Sequence, residues 1–394
     1  MDASVSLVQR MPYTTVFPKA LGTGLLVSTA RPVSTDLRAK MERLIDGYEH
    51  MLSRFRADSL VTRIGNAEHG GHFDFPNWAG PLFDLYDALH DVTRGAIDPC
   101  VGEDLIRLGY DPTLSFTVET DAVERLGALH GRPVWGHDVV RSDDTTLVTH
   151  GSVHLDFGAC GKGYLVDLLG HMLIQEKSAD WDDFSGPAST STQHPNQVSY
   201  PNQNHFSSQP PQFVIDAGGD LLAHAEQTIS VALEDPEDQS RAIGVAHIAN
   251  GALCASAPSR RHWNIAINEY TQIAIHHLLN AIDGLPAQQT EASWTYVPSS
   301  SQYLNNSHDT ANAAEPANAT LSLAQNYPTA VADGLATALF VSDAAQLQST
   351  FNFACATLND SRQIAASNDF PAELFLQSVS RPHTSPNLKS KAAF

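Results

Sequence analysis

The chain has 394 residues, with 44 acidic against 23 basic side chains and a formal net charge of −21. That length can enclose a large core and more than one lobe. The acidic excess argues against a nucleic-acid surface or an anionic membrane as the main partner, since both demand basic patches; phosphates would be handled locally, by a metal ion, a few lysines or a helix N-terminus.

The first strong pattern is a strand over "GTGLLVST" (22–29). A helix follows over "STDLRAKMERLIDGYEHMLSRF" (34–55), where Leu37, Met41, Leu44, Ile45, Tyr48, Met51 and Leu52 recur at helical spacing behind a Ser/Thr start. A second helix, "GPLFDLYDALHDVTRG" (80–95), is ended by Gly95. "RGAIDPCVG" (94–102) reads as a helix end followed by a turn. "TLVTHGSVHLDFG" (146–158) reads as a strand ending near Asp156, and a third helix runs over 162–177. Between them "HLDFGACGKGYLVD" (154–167) brings together a carboxylate, free backbone N–H groups, the Lys162 cation and a helix N-terminus. That is either an anion cradle or an ordinary strand–turn–helix connection, and it is not a Walker A loop.

Residues 178–212 are rich in Ser, Pro, Asn and Gln. Further strands are predicted over 211–220, 228–235, 252–257, 263–267 and 293–299. "IDAGGDLLAH" (215–224) is a strand, paired glycines and Asp220, where the glycines allow close approach of a ligand or form a bulge. "SAPSRRHW" (256–263) reads as a solvated basic turn. In "IAIHHLLNAIDGLP" (273–286) vicinal His276 and His277 point to opposite faces of an extended segment, so one of them can reach a site. Residues 302–325 again lack a hydrophobic period. They and 178–212 are read as flexible surface insertions, in which the NxS/T triplets at Asn305 and Asn318 carry no weight without export.

In "VADGLATALF" (331–340), helical spacing puts the Asp333 carboxylate and the Thr337 hydroxyl one turn apart on one face. A helix cap is the plain alternative. Strands and helices do not alternate strictly, so the fold class is mixed α+β. The four cysteines are far apart without a CxxC pair, so buried free thiols are expected rather than a zinc or redox site. No signal-like start, lipobox or membrane-length apolar run is seen, which leads to the expectation of a soluble, cytoplasmic chain as given. No GxSxG elbow, GxGxxG after a strand or DxDxDG loop is present.

Taken in order, these stretches resemble the ApbE family of FAD:protein FMN transferases. "ALGTGLLV" is similar to the family's MGT strand, "SRFRADSLVTRIGN" to its S-x-Tyr-x-x-x-S segment and "GAIDP" to its GAFDP. "DFGACGKGYLVD", "IDAGGD", "HHLLNAIDG" and "ADGLATALFV" are similar to DLGGIAKGYAVD, NAGGD, HHIIDPRTG and ADALATALFV. The resemblance spans about residues 20–342. It implies a single flavin transferase domain with mixed sheets and flanking helices over 1–394, core about 14–380, with both insertions falling between motifs.

The resemblance further implies Mg²⁺-dependent transfer of FMN from FAD to a Ser or Thr hydroxyl of an acceptor flavoprotein, releasing AMP. It implies Mg²⁺ ligation by Asp333, Thr337 and the carbonyls of Ala159 and Ala336, and base catalysis by His277, with Asp333 able to share that task. It implies FAD contacts at Leu21, Phe55, Ala96, Ile97, Asp98, Asp156, Lys162 and Leu279. Three departures fall around the flavin and acceptor pocket: Leu21 for methionine, Ala257 for glycine before the Arg261 turn, and the altered 277–284 loop. Phe55 keeps a stacking ring without the phenol. A FAD pyrophosphatase giving FMN plus AMP, and a non-catalytic FAD-binding protein, are the alternatives.

Overall fold

The computed structural model describes residues 6–176, 211–268, 271–299 and 316–375. Its frame is a nine-stranded antiparallel sheet. Its strands are β1 (Tyr13–Phe17), β2 (Leu25–Thr29), β3 (Phe213–Asp216), β4 (Asp220–Asp235), β5 (Asp238–Ser256), β6 (Thr290–Pro298), β7 (Ala354–Asn359), β8 (Ile364–Ala366) and β9 (Ala372–Leu374). β1 to β8 lie side by side in chain order, and β9 pairs with β5. Alternation along the strands sends neighbouring residues to opposite faces. Phe213, Ile215, Leu222, Ala252 and Cys254 join the main core, whereas Val214, Ala223, Leu253, Trp294 and Leu358 build a second cluster on the other face.

The main core is closed by α1 (Thr35–Leu52), α2 (Gly80–Thr93), α3 (Gly161–Gln175), α4 (Pro316–Asn326) and α5 (Pro328–Ala338). Ser34 caps α1 by accepting from the Leu37 N–H, and the predicted stripe of Leu37, Met41, Ile45, Tyr48 and Leu52 is buried. α2 stops at Arg94, in the left-handed conformation, followed by Gly95 at φ 85°. α5 is buried almost all round, between α3, the sheet and α2. Ser293 and Thr295 on β6 face it and donate to the carbonyls of Ala336 and Ala332, each at 2.6 Å.

α3 and α5 run antiparallel, and neither has a side-chain cap of its own. Each caps the other. Asp167 of α3 accepts from the Thr329 and Ala330 N–H groups at 3.1 and 2.8 Å, and Asp333 of α5 accepts from the Gly163 N–H at 3.0 Å. Small residues permit the approach: a Cβ at Gly163 would overlap the Thr329 carbonyl oxygen.

A smaller sheet of Gly71–Asp74, Thr146–Thr149 and Val139–Arg141 lies apart, as do the hairpins His262–Asn268/Thr271–His276 and Leu279–Asn280/Leu285–Pro286. Leu105, Leu108, Tyr110, Trp263, Ile275 and Leu279 form a third cluster there. The four cysteines are buried thiols outside any disulfide, as expected. Among the described residues no helix is long and apolar enough to cross a membrane.

Three expectations change. The strand predicted over 146–158 pairs only through Thr149; beyond it Val153, Leu155 and Phe157 stay buried alternately, but among the described residues no strand pairs with them, and the Asp156 N–H bonds to the Pro99 carbonyl instead. The strand over 22–29 begins at Leu25 because Leu21, Gly22 and Gly24 adopt positive φ in a turn. The segment 302–325, read as lacking a period, contains α4, whose Thr320, Leu323 and Ala324 are buried and continue to Tyr327 at i, i+3, i+4, i+7. Ala- and Asn-rich composition hid that stripe. The rest of that segment, with Asn305, and nearly all of 178–212 lie outside the described residues.

Gly163→Ala is expected to destabilise the fold by about 1–3 kcal/mol, because backbone rather than a flexible side chain must give way. Gly47→Ala, on the exposed face of α1 with nothing within 4 Å of a new Cβ, should stabilise by roughly 0.5–1 kcal/mol. Urea unfolding of the two variants measures both signs.

Candidate active site

Lys162 sits in the first turn of α3 and reaches two buried carboxylates. Its Nζ closes on Asp220 and lies 3.1 Å from Asp333 Oδ1. Asp220 is delivered by the glycine pair: Asp216 accepts from Gly218 and Gly219 N–H groups, and positive φ at both glycines turns the chain into β4. Burial pushes the Asp333 carboxyl up to about 7, Asp220 adds to the rise, and Lys162 opposes it. Burial disfavours the Lys162 cation, but Asp220 and Asp333 outweigh that and hold it protonated.

Asp220 Oδ1 is buried with no hydrogen-bond partner among the described residues. Two carboxylates against one ammonium leave an oxygen without a partner, and Thr337 lies one helical turn beyond Asp333; oxygen donors of this kind suit a hard divalent cation. The Ala336 carbonyl already accepts from Ser293 and keeps one lone pair; Ala159 lies in the turn before α3. Among the described residues no three acidic, histidine or cysteine side chains converge on one point. A cation there would depend on hydroxyl, carbonyl and ligand phosphate oxygens to complete its shell.

A second group is organised around Tyr110. Arg54 donates from Nε to Asp156 and from Nη1 to the Tyr110 carbonyl at 2.6 Å, while Arg261 donates to the Tyr110 hydroxyl. Phe55, Trp263 and His277 pack around the same ring. His277 Nδ1 is 3.2 Å from the Arg261 carbonyl, so this nitrogen carries the hydrogen and Nε2 keeps its lone pair. His276 is committed on both nitrogens, Nε2 to the Ala287 carbonyl and Nδ1 to the Leu278 N–H. Burial lowers His277 to about 4, Arg261, His276 and Lys162 adding to the fall and its bond to the Arg261 carbonyl resisting it.

The remaining predicted contacts divide. Leu21, at φ 55°, is held by its N–H to Glu49 at 2.7 Å. Asp156 accepts from Arg54 and from the Gly158 N–H at 2.6 Å. Ala96, Ile97, Asp98 and Leu279 are buried. Asp98 has both oxygens engaged, by the Cys100 and Trp135 N–H groups at 2.7 and 3.1 Å, so it braces the interior beneath the loop. Sequence reasoning passed over Arg54, Tyr110 and Asp167. Only Arg54 had a signal, a cation beside the stacking ring.

The ApbE family model matches residues 14–180 and 207–329, ending just before Asp333. Among solved structures, the ApbE protein of Thermotoga maritima is 17% identical, with a TM-score of 0.64 over 91% of this chain and 100% of that one. The flavin transferase ApbE of Vibrio cholerae is 16% identical, with a TM-score of 0.60 over 91% and 97%. The flavinyl transferase ApbE of Pseudomonas stutzeri, in its apo form, is 18% identical, with a TM-score of 0.59 over 93% and 98%. No curated protein sequence matches the chain.

Because the folded pKa of His277 lies below its unfolded value, the unfolded chain binds the proton more tightly between them. Stability contributed by neutral His277 is therefore present above about pH 6.5 and lost as pH falls toward about 4. Urea midpoints of wild type and His277→Asn should converge across that window, and parallel pH profiles would refute the assignment.

Proposed function

The chain belongs to the ApbE family, and from that premise we propose that it is a FAD:protein FMN transferase acting on a Ser or Thr hydroxyl of an acceptor flavoprotein. The observation that carries this reading is the Lys162–Asp220–Asp333 cluster at the N-terminus of α3, in which both carboxylates are buried and Asp220 Oδ1 has no partner among the described residues. A helix N-terminus with a cation suits a pyrophosphate, and the all-oxygen set fits Mg²⁺.

In the proposed reaction the acceptor oxygen attacks the flavin-side phosphorus. The bond from that phosphorus to the bridging oxygen breaks, and AMP leaves. The hydroxyl proton passes to His277 Nε2, the imidazole nitrogen with a free lone pair. Lys162, in the first turn of α3, holds the phosphates and offsets charge on their oxygens. Mg²⁺, held by Asp333, Thr337 and the carbonyls of Ala159 and Ala336, would supply Lewis-acid neutralisation of that charge. Phe55 stacks the flavin ring, while Leu21, Ala96, Ile97, Asp98, Asp156 and Leu279 shape the pocket for the dinucleotide.

The test is incubation of the full-length protein with FAD and Mg²⁺, with and without an acceptor domain, measuring AMP and flavin that survives denaturation. Acceptor-dependent AMP with covalent flavin is expected, falling at least 100-fold in Asp333→Ala. Omission of the metal should cause a comparable fall. AMP without bound flavin would make the protein a pyrophosphatase, and FAD binding without AMP would make it a flavin carrier.

A further inference from the structure

Arg54 is an unusual arginine. Its side chain is only 6% exposed, and its guanidinium lies 4.2 Å from the Phe55 ring centroid and 4.7 Å from that of Tyr110. Nε and Nη1 are engaged by Asp156 and the Tyr110 carbonyl, but Nη2 is buried with no partner among the described residues. A buried donor left unpaired costs about 1–3 kcal/mol, more when charged. Phe55, on which the guanidinium packs, is 41% exposed. An exposed aromatic side chain with an unpaired N–H packed against it is half of a recognition site for a planar ring that carries an acceptor on its edge.

Charge selects the acceptor. Asp156 already neutralises Arg54, so little net attraction remains for a phosphate dianion. A neutral carbonyl oxygen takes a single N–H of a paired guanidinium without leaving an unbalanced charge. We propose that Arg54 Nη2 donates to a carbonyl oxygen on the pyrimidine edge of the isoalloxazine ring stacked on Phe55, making Arg54 the residue that orients the flavin. This rests on the FAD-dependent reading above. It adds a ring contact supplied by this chain, and it ties flavin orientation to the Asp156 and Tyr110 supports of Arg54.

The experiment titrates FAD, riboflavin and ADP into full-length wild type, Arg54→Lys and Arg54→Gln, with thermal melts to check folding. Riboflavin has the ring without phosphate, and ADP has phosphate without the ring. Both variants should bind riboflavin and FAD about tenfold or more weakly, with ADP unchanged. Infrared carbonyl stretches of riboflavin bound to wild type should lie at hydrogen-bonded frequencies and rise in Arg54→Lys. Equal riboflavin affinity in wild type and a folded variant overturns the proposal. So does loss confined to ADP, or an aprotic-like stretch in wild type if neither variant folds. Wild type that binds neither FAD nor riboflavin overturns the transferase reading and this proposal together, whereas normal wild-type binding with unaffected variants overturns the proposal alone.

Discussion

The exchange of carboxylates between α3 and α5 is the constraint on which the site depends. Each helix starts without a cap of its own and borrows one from its neighbour, Asp167 serving α5 and Asp333 serving α3. Burying two carboxylates would be strongly unfavourable without those N–H partners. Burial pushes Asp167 up to about 8 against the bonds it accepts from residues 329 and 330. The arrangement also brings α3 and α5 so close that a Cβ at Gly163 would meet the Thr329 backbone. Asp333 therefore arrives at Lys162 because it is first a cap. The chemistry proposed for it is grafted onto a packing device.

Three cations of the strongly acidic chain lie in this region. Lys162 carries two carboxylates, Arg54 carries one, and Arg261 has no carboxylate partner among the described residues. Arg54 and Arg261 approach Tyr110 from its carbonyl and its hydroxyl, so one tyrosine holds two guanidinium groups in place. His277 sits against the same tyrosine and is bonded to the Arg261 carbonyl, which fixes its tautomer. Its low pKa is thus a consequence of being walled in beside cations. It keeps the imidazole neutral over the whole physiological range, the state in which it can accept a proton.

How much was legible follows from how local each signal is. α1, α2 and α3 were readable because apolar spacing and end residues lie within one segment. β4 and β5 form one long hairpin, but only their ends looked like strands, because pairing across the hairpin keeps the intervening polar stretch in register. α4 escaped because its stripe is made partly of Ala and Thr. In the site, the Asp333–Thr337 spacing is visible within five consecutive residues. The pairing of Lys162 with Asp220 spans 58 positions, and nothing local announces it. Asp167 looked like one more polar residue on a helix, since a cap given to another helix leaves no mark near itself.

The 277–284 loop shows why a departure in sequence need not be a departure in shape. Its path is held by backbone groups: the Ala281 N–H donates to the Ala96 carbonyl, and the Ala281 carbonyl accepts from the Ala128 N–H and from Arg132 Nη2. Gly127 packs so closely against Asp283 that a Cβ there would collide with the Ile282–Asp283 backbone, and Gly284 turns at φ 72° against Leu126. These contacts do not depend on the side chains of residues 280–283 beyond what the Asn280 and Asp283 caps of the turn supply. Asp98, through its bonds to Cys100 and Trp135, holds the segment carrying the Ala96 end of this clasp. Replacing the side chains thus leaves the backbone path that presents His277 intact.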